Sequence, residues 1–156
     1  MISIGDMAPD APIELSDGSL CSVTDYRAKV LVIYFYPKDD TPGCTTEARD
    51  FSILAEEFAR AGITVLGVSR DTTASHEKFS KKHALAVALV SDADGSLCEA
   101  FGVWVEKSMY GRSYMGIERA TFLIADDGRV AQVWRKVKVK GHAESVLRAA
   151  TSLSSS

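Results

Sequence analysis

At 156 residues, with 46% hydrophobic and 25% charged residues, the chain is long enough for one domain with a sizeable core and too short for two to be expected. A formal net charge of −3 supplies no basic field, so neither nucleic acid nor an anionic membrane is indicated as a partner. The longest apolar run, VLVIYFY, is far too short to cross a bilayer, and the opening MISIGDMAPDAP has neither the basic nor the apolar segment of a secretion signal.

In chain order, APIELSDGSLCSV reads as a short β-hairpin, and VLVIYFYP (Val30 to Pro37) as a strand buried on both faces. After KDDTPG, the stretch CTTEARDFSILAEEFARAG puts Ala48, Phe51, Leu54, Ala55, Phe58 and Ala61 on one helical face, with Gly62 as a stop. ITVLGVSRD is a second buried strand, TTASHEKFSKKH a polar helix, AVALVSD a third strand and GSLCEAFGV a short helix. MYGRSYMG, rich in Tyr, Met and Gly, reads as a loop, either an ordinary surface loop or a flexible one lining the entry to a site. ATFLIADDGRVAQVWRKV is a hairpin about an Asp-Gly turn, and GHAESVLRAATSL is a closing helix before a frayed SSS end. Strand–helix–strand alternation implies right-handed parallel βαβ units. The expected class is α/β, a thioredoxin-like fold over residues 1–156 with a central mixed sheet, helices on both faces and an N-terminal β-hairpin.

Three cysteines, Cys21, Cys44 and Cys98, show no close pairing and do not make a disulfide framework, so a reducing, cytoplasmic setting is expected. Cys44 stands apart. Thr41 suits an N-cap and Pro42 the first helical position, which puts Cys44 in the first turn, where free backbone N–H groups and the helix dipole favour negative charge. The thiolate is the reactive species of cysteine, and a βα turn after a buried strand is where open α/β sheets place ligands. Asp39 and Asp40 lie close in sequence and oppose that charge, so a cation from elsewhere in the fold is expected to offset them.

YPKDDTPGC carries Pro37, Thr41 and Cys44 in the spacing P-x-x-x-T-x-x-C, which resembles the active-site motif of the peroxiredoxins. The likeness continues through VLGVSRD, LVSDADGSLCEAFGVW, EKSMYGRSYMG and GIERATFLI, and over nearly the whole chain it is to the bacterioferritin comigratory protein (peroxiredoxin Q) subfamily. This resemblance implies a thiol-dependent peroxidase acting on hydrogen peroxide and small organic hydroperoxides. Cys44 matches the peroxidatic cysteine, which cycles through a sulfenic acid. Thr41 matches the hydroxyl that bonds thiolate and peroxide, Pro37 the residue that shields the thiolate, and Arg119 the distant arginine that supplies the missing cation. No cofactor or metal is implied, and a monomer or weak dimer with a thioredoxin- or glutaredoxin-type reductant is expected.

The subfamily's resolving cysteine follows five residues after the peroxidatic one or sits on the next helix; the matching positions here are Arg49 and Ser80. Cys98 reads as a buried structural thiol and Cys21 as half-buried, which leaves an external thiol as the resolver. Two other readings are a thioredoxin-like disulfide oxidoreductase, disfavoured because C-x-x-C is missing and ERATFL has no proline, and a redox relay or chaperone module. His76, His83 and His142 are scattered without metal spacing and read as solvated or capping. WRKVKVKGH reads as a strand edge protected by lysines.

Overall fold

In the computed structural model, which describes residues 2–154, a five-stranded sheet runs in the order β5-β4-β3-β8-β9. Its strands are β3 (Val30–Phe35), β4 (Ile63–Ser69), β5 (Ala88–Ser91), β8 (Ala120–Ile124) and β9 (Val130–Trp134). β3 pairs parallel with β4, and β4 with β5, while β8 runs antiparallel to both β3 and β9. The central position of β3 explains its unbroken apolar run, since every one of its six residues is buried.

Alternation along β3 divides the core. Val32 and Tyr34 face a cluster covered by α1 (Pro42–Ile53), α2 (Ala55–Arg60), α3 (Thr73–His83) and α5 (His142–Ser154). Leu31, Ile33 and Phe35 face a second cluster, covered by α4 (Ser96–Ala100), a 3-10 turn at Val23–Tyr26 and the N-terminal hairpin of β1 (Pro12–Glu14) and β2 (Leu20–Ser22). Helices therefore lie on both faces of a mixed sheet, as expected. Of the SSS end expected to fray, Ser154 instead closes α5 and donates to the Ala61 carbonyl at 2.6 Å, while Ser155 and Ser156 lie outside the described residues.

Two elements differ from the sequence reading. The long helix after Cys44 breaks at Leu54 into α1 and α2, yet both halves keep Phe51 and Phe58 in one cluster, with ring centroids 6.0 Å apart. MYGRSYMG is not a loop. It is the turn and second strand of a projecting hairpin, β6 (Trp104–Met109) with β7 (Arg112–Ile117), reversed at Tyr110-Gly111. Its outer half is exposed on both faces, which removes the apolar alternation that marks a strand in sequence.

The loop from β3 to α1 is held from below by a buried polar network. Asp39 accepts from Tyr36 OH (2.6 Å) and Ser75 Oγ (2.8 Å), and faces His76 Nδ1 at 2.7 Å. The other ring nitrogen of His76 bonds the Val90 carbonyl at 2.8 Å, and Asp39 N donates to Asp71 Oδ2. His76 is fully buried, and His142 is buried against Thr121 Oγ1 at 2.8 Å. The solvated reading of both is thus corrected: each satisfies polar groups inside the fold. His83 and Lys82 instead bond Asp40 near the surface, at 2.8 and 2.7 Å.

Burial alone raises the Asp39 carboxyl, but the His76, Tyr36 and Ser75 bonds outweigh it and hold the pKa below its ordinary value. Removing one partner of such a pair strands the other, so Asp39→Ala is expected to lower unfolding free energy by roughly 3 kcal/mol in urea titration. Asp40→Ala, which breaks exposed pairs, is expected to change it far less. Equal losses would mean that the network does not anchor the loop.

Candidate active site

Thr41 occupies the N-cap of α1 and Pro42 its first position, so Cys44 lies in the first turn, as expected. The expected side-chain cap is absent. The Thr41 hydroxyl donates instead to the Lys38 carbonyl at 2.9 Å, which closes the loop on itself. Cys44 is 2% exposed and packs in the helix-covered cluster, while Pro37 is exposed at the carboxyl end of β3.

Arg119, in the connection from β7 to β8, reaches this turn from the other side. Its Nη2 lies 3.3 Å from Cys44 Sγ and its Nη1 2.6 Å from Glu47 Oε1. The neighbouring Glu118 does not compete, because Arg135 holds it at 2.7 Å. Gly43 makes the approach possible: a Cβ there would stand 3.2 Å from Arg119 Nη2. Burial disfavours the guanidinium charge, but Glu47 and Cys44 outweigh that and raise the Arg119 pKa above its ordinary value.

Glu47 escaped the sequence reading. It stands one helical turn after Cys44, so the C-x-x-E spacing that puts both on one face was the available signal. It is 1% exposed, and its second oxygen has no hydrogen-bond partner among the described residues. Burial pushes its pKa up from 4.5 to about 7, against the lowering effect of Arg119. The two aspartates expected to oppose charge at Cys44 are occupied elsewhere, Asp39 by the network and Asp40 by Lys82 and His83.

The fold also gathers Asp39, Asp71 and His76, which the sequence spacing did not show. Their atoms bond one another, Ser69, Ser75 and Tyr36, so the group serves as a structural network. Cys98 is fully buried, and its thiol is raised well above its usual value by burial and then by Asp92. Cys21 is half-buried beside Tyr26 OH at 3.7 Å. Both belong to the cluster on the far side of the sheet from Cys44. Arg49 is exposed, and Ser80 is partly exposed on α3. The lysines of WRKVKVKGH follow edge strand β9 rather than lying on it.

A buried thiol in a helix first turn, faced by an arginine on a sheet of this topology, is the arrangement of a thiol-dependent peroxidase. The chain belongs to the AhpC/TSA family, whose model matches residues 4–133, and it is a peroxiredoxin of the Bcp (peroxiredoxin Q) kind. Peroxiredoxin Bcp of Xanthomonas campestris is 54% identical over 140 residues, covering 90% of this chain and 88% of that protein. Peroxiredoxin Bcp of Bacillus subtilis is 48% identical over 147 residues, covering 94% of each. The solved bacterioferritin comigratory protein of Xanthomonas campestris, studied for alkyl peroxide reduction, superposes with a TM-score of 0.90 at 49% identity, over 99% of this chain and 98% of that one. Two solved Xanthomonas variants replace cysteines by serine at a spacing equal to that from Cys44 to Ser80. No helix among the described residues is long and apolar enough to cross a membrane.

Glu47 and His142 titrate in overlapping ranges with opposite effects on stability. Raised from 4.5 to about 7, Glu47 holds its proton in the folded state after the unfolded chain has lost it, so stability falls as pH rises through that window. Burial and then the Arg119 charge lower His142 from 6.5 to about 4, so the unfolded chain binds a proton there that the folded state does not; stability rises between those values. In denaturant titrations from pH 4 to 7, Glu47→Gln is expected to leave a rising profile and His142→Asn a falling one. Two variants with the same slope would contradict this assignment.

Proposed function

We propose that Cys44 is the peroxidatic residue of a one-cysteine cycle in a single domain, with Arg119, Thr41 and Pro37 completing the site. The observation that carries this reading is the Arg119 contact to the sulfur, 3.3 Å, from a guanidinium anchored on Glu47. The Cys44 thiolate attacks the terminal oxygen of a hydroperoxide ROOH. An S–O bond forms, the O–O bond breaks, and the alkoxide takes up the proton released when the thiol ionised. The products are Cys44 sulfenic acid and the alcohol. Negative charge spreads over sulfur and both oxygens, and the Arg119 Nη2 group and the free N–H groups of the first turn stabilise it as it develops. The Thr41 hydroxyl, which here donates to Lys38, exchanges that bond for one to the peroxide on binding. Pro37, exposed just beyond β3, takes its shielding role from the family resemblance.

An external thiol then attacks the sulfenic acid and releases water, and a second thiol reduces the mixed disulfide. Two observations support this route: Arg49 and Ser80 stand where the resemblance expects a resolver, and Cys98 and Cys21 face the opposite core. The reductant is a thioredoxin- or glutaredoxin-type donor, the substrates are hydrogen peroxide and small organic hydroperoxides, and the protein works in the cytoplasm as a monomer or weak dimer.

Intact mass after one equivalent of hydrogen peroxide, with a sulfenic-acid trap present, tests the cycle. One trapped adduct is expected in the wild type and none in Cys44→Ser; loss of two hydrogens without an adduct would instead assign a resolver within the chain. Arg119→Met is expected to slow oxidation of Cys44 roughly a hundredfold in stopped-flow, the usual effect of losing one charge-stabilising donor. A rate within a factor of about three of wild type would refute the role given to Arg119.

A further inference from the structure

The β6–β7 hairpin carries a cation that the Arg119 site does not use. Lys107 is half-buried, and among the described residues its side chain makes no hydrogen bond and no ion pair. Register fixes its surroundings. Lys107 lies opposite Tyr114, Val105 opposite Gly116 and Met109 opposite Arg112, so these six residues share one face of the ribbon.

The stem's direction follows from Gly116. A Cβ built there would stand 3.3 Å from Lys107 Cδ and 3.6 Å from Cε, with Tyr114 Cε2 at 3.4 Å. The lysine therefore runs back along the ribbon through the space that Gly116 leaves, away from the exposed tip at Tyr110 and toward the root where Arg119 follows β7. Its charge reaches the site: burial, and then the Arg119 guanidinium, lower the Lys107 pKa from its ordinary value, while Cys44 and Glu118 act the other way. Arg119 is already bonded to Glu47 and the sulfur, whereas the Lys107 ammonium has no hydrogen-bonded or ion-paired partner among the described residues. Tyr114 beside it offers an apolar wall.

We propose that Lys107 is a specificity-determining residue: its ammonium binds a carboxylate carried by the organic part of a hydroperoxide and so favours anionic hydroperoxides over neutral ones of the same shape. The proposal rests on the peroxidase reading of Cys44. The bond changes are those already given, with the carboxylate-bearing alkoxide as leaving group, and Lys107 exchanges neither proton nor electron. A charge-assisted contact of this kind is worth roughly a tenfold preference, weakened by salt because the group is only half-buried.

Three hydroperoxides separate the possibilities in stopped-flow oxidation of the full chain: tert-butyl hydroperoxide, a tertiary alkyl hydroperoxide bearing one carboxylate, and the methyl ester of the latter. Wild type is expected to react roughly tenfold faster with the acid than with its ester, with the ratio shrinking as salt is added. Lys107→Gln should bring the acid-to-ester ratio near one, and Lys107→Arg should restore it. A wild-type ratio of one, or an unchanged ratio in Lys107→Gln, overturns the assignment while leaving the peroxidase reading standing. No reaction with any of the three, or with hydrogen peroxide, removes both.

Discussion

A single guanidinium is divided between a buried carboxylate and a buried sulfur, and the surrounding structure is arranged around that division. Glu47 and Cys44 lie a helical turn apart on the inward face of α1, where neither could carry charge alone without a large desolvation cost. Arg119 answers both from one side chain, through two nitrogens. Its position comes from the β7–β8 connection, its access from the missing side chain of Gly43, and its freedom from the Arg135–Glu118 pair that keeps the adjacent carboxylate away. Helix, sheet and hairpin thus meet at one ion.

Beneath that site, α3 receives the two aspartates of the preceding loop and separates their tasks. Asp39 enters the core and joins His76, Ser75 and Tyr36, while Asp40, with a left-handed backbone at φ 59°, turns outward to Lys82 and His83. Four partners on one helix therefore withdraw two negative charges from the neighbourhood of the proposed nucleophile. Position along the chain and position in the electrostatic field are different things here, because side-chain direction decides which charges a sulfur feels.

The parts legible in sequence were those governed by local rules or by burial on both faces. β3 announced itself as a run of apolar and aromatic residues, and Pro42 marked the start of α1 closely enough to put Cys44 in its first turn. The Arg119 contact was foreseen through the peroxiredoxin motif, since seventy-odd residues of intervening chain carry no pairing signal. Roles set by tertiary contact were hidden. His76 has polar neighbours in sequence yet lies inside the molecule because Asp39 and Val90 meet it there. Glu47 reads as one more charge on a helix until Arg119 arrives. The β6–β7 hairpin lacked alternation because little covers its outer half, and the Thr41 hydroxyl chose a loop carbonyl over the cap that its position offered.

The sheet also acts as a partition between sulfurs. Cys44 lies in the layer under the helices, and Cys21 and Cys98 in the layer under the N-terminal hairpin, with packed strands between. Packed layers stand about 10 Å apart, well beyond the reach of a disulfide, so the far thiols are screened from whatever happens at the near one. In practical terms an oxidation that joined Cys44 to either far thiol would first have to part the sheet. Any crosslink between the two layers would therefore report that the fold had opened, not that it had worked.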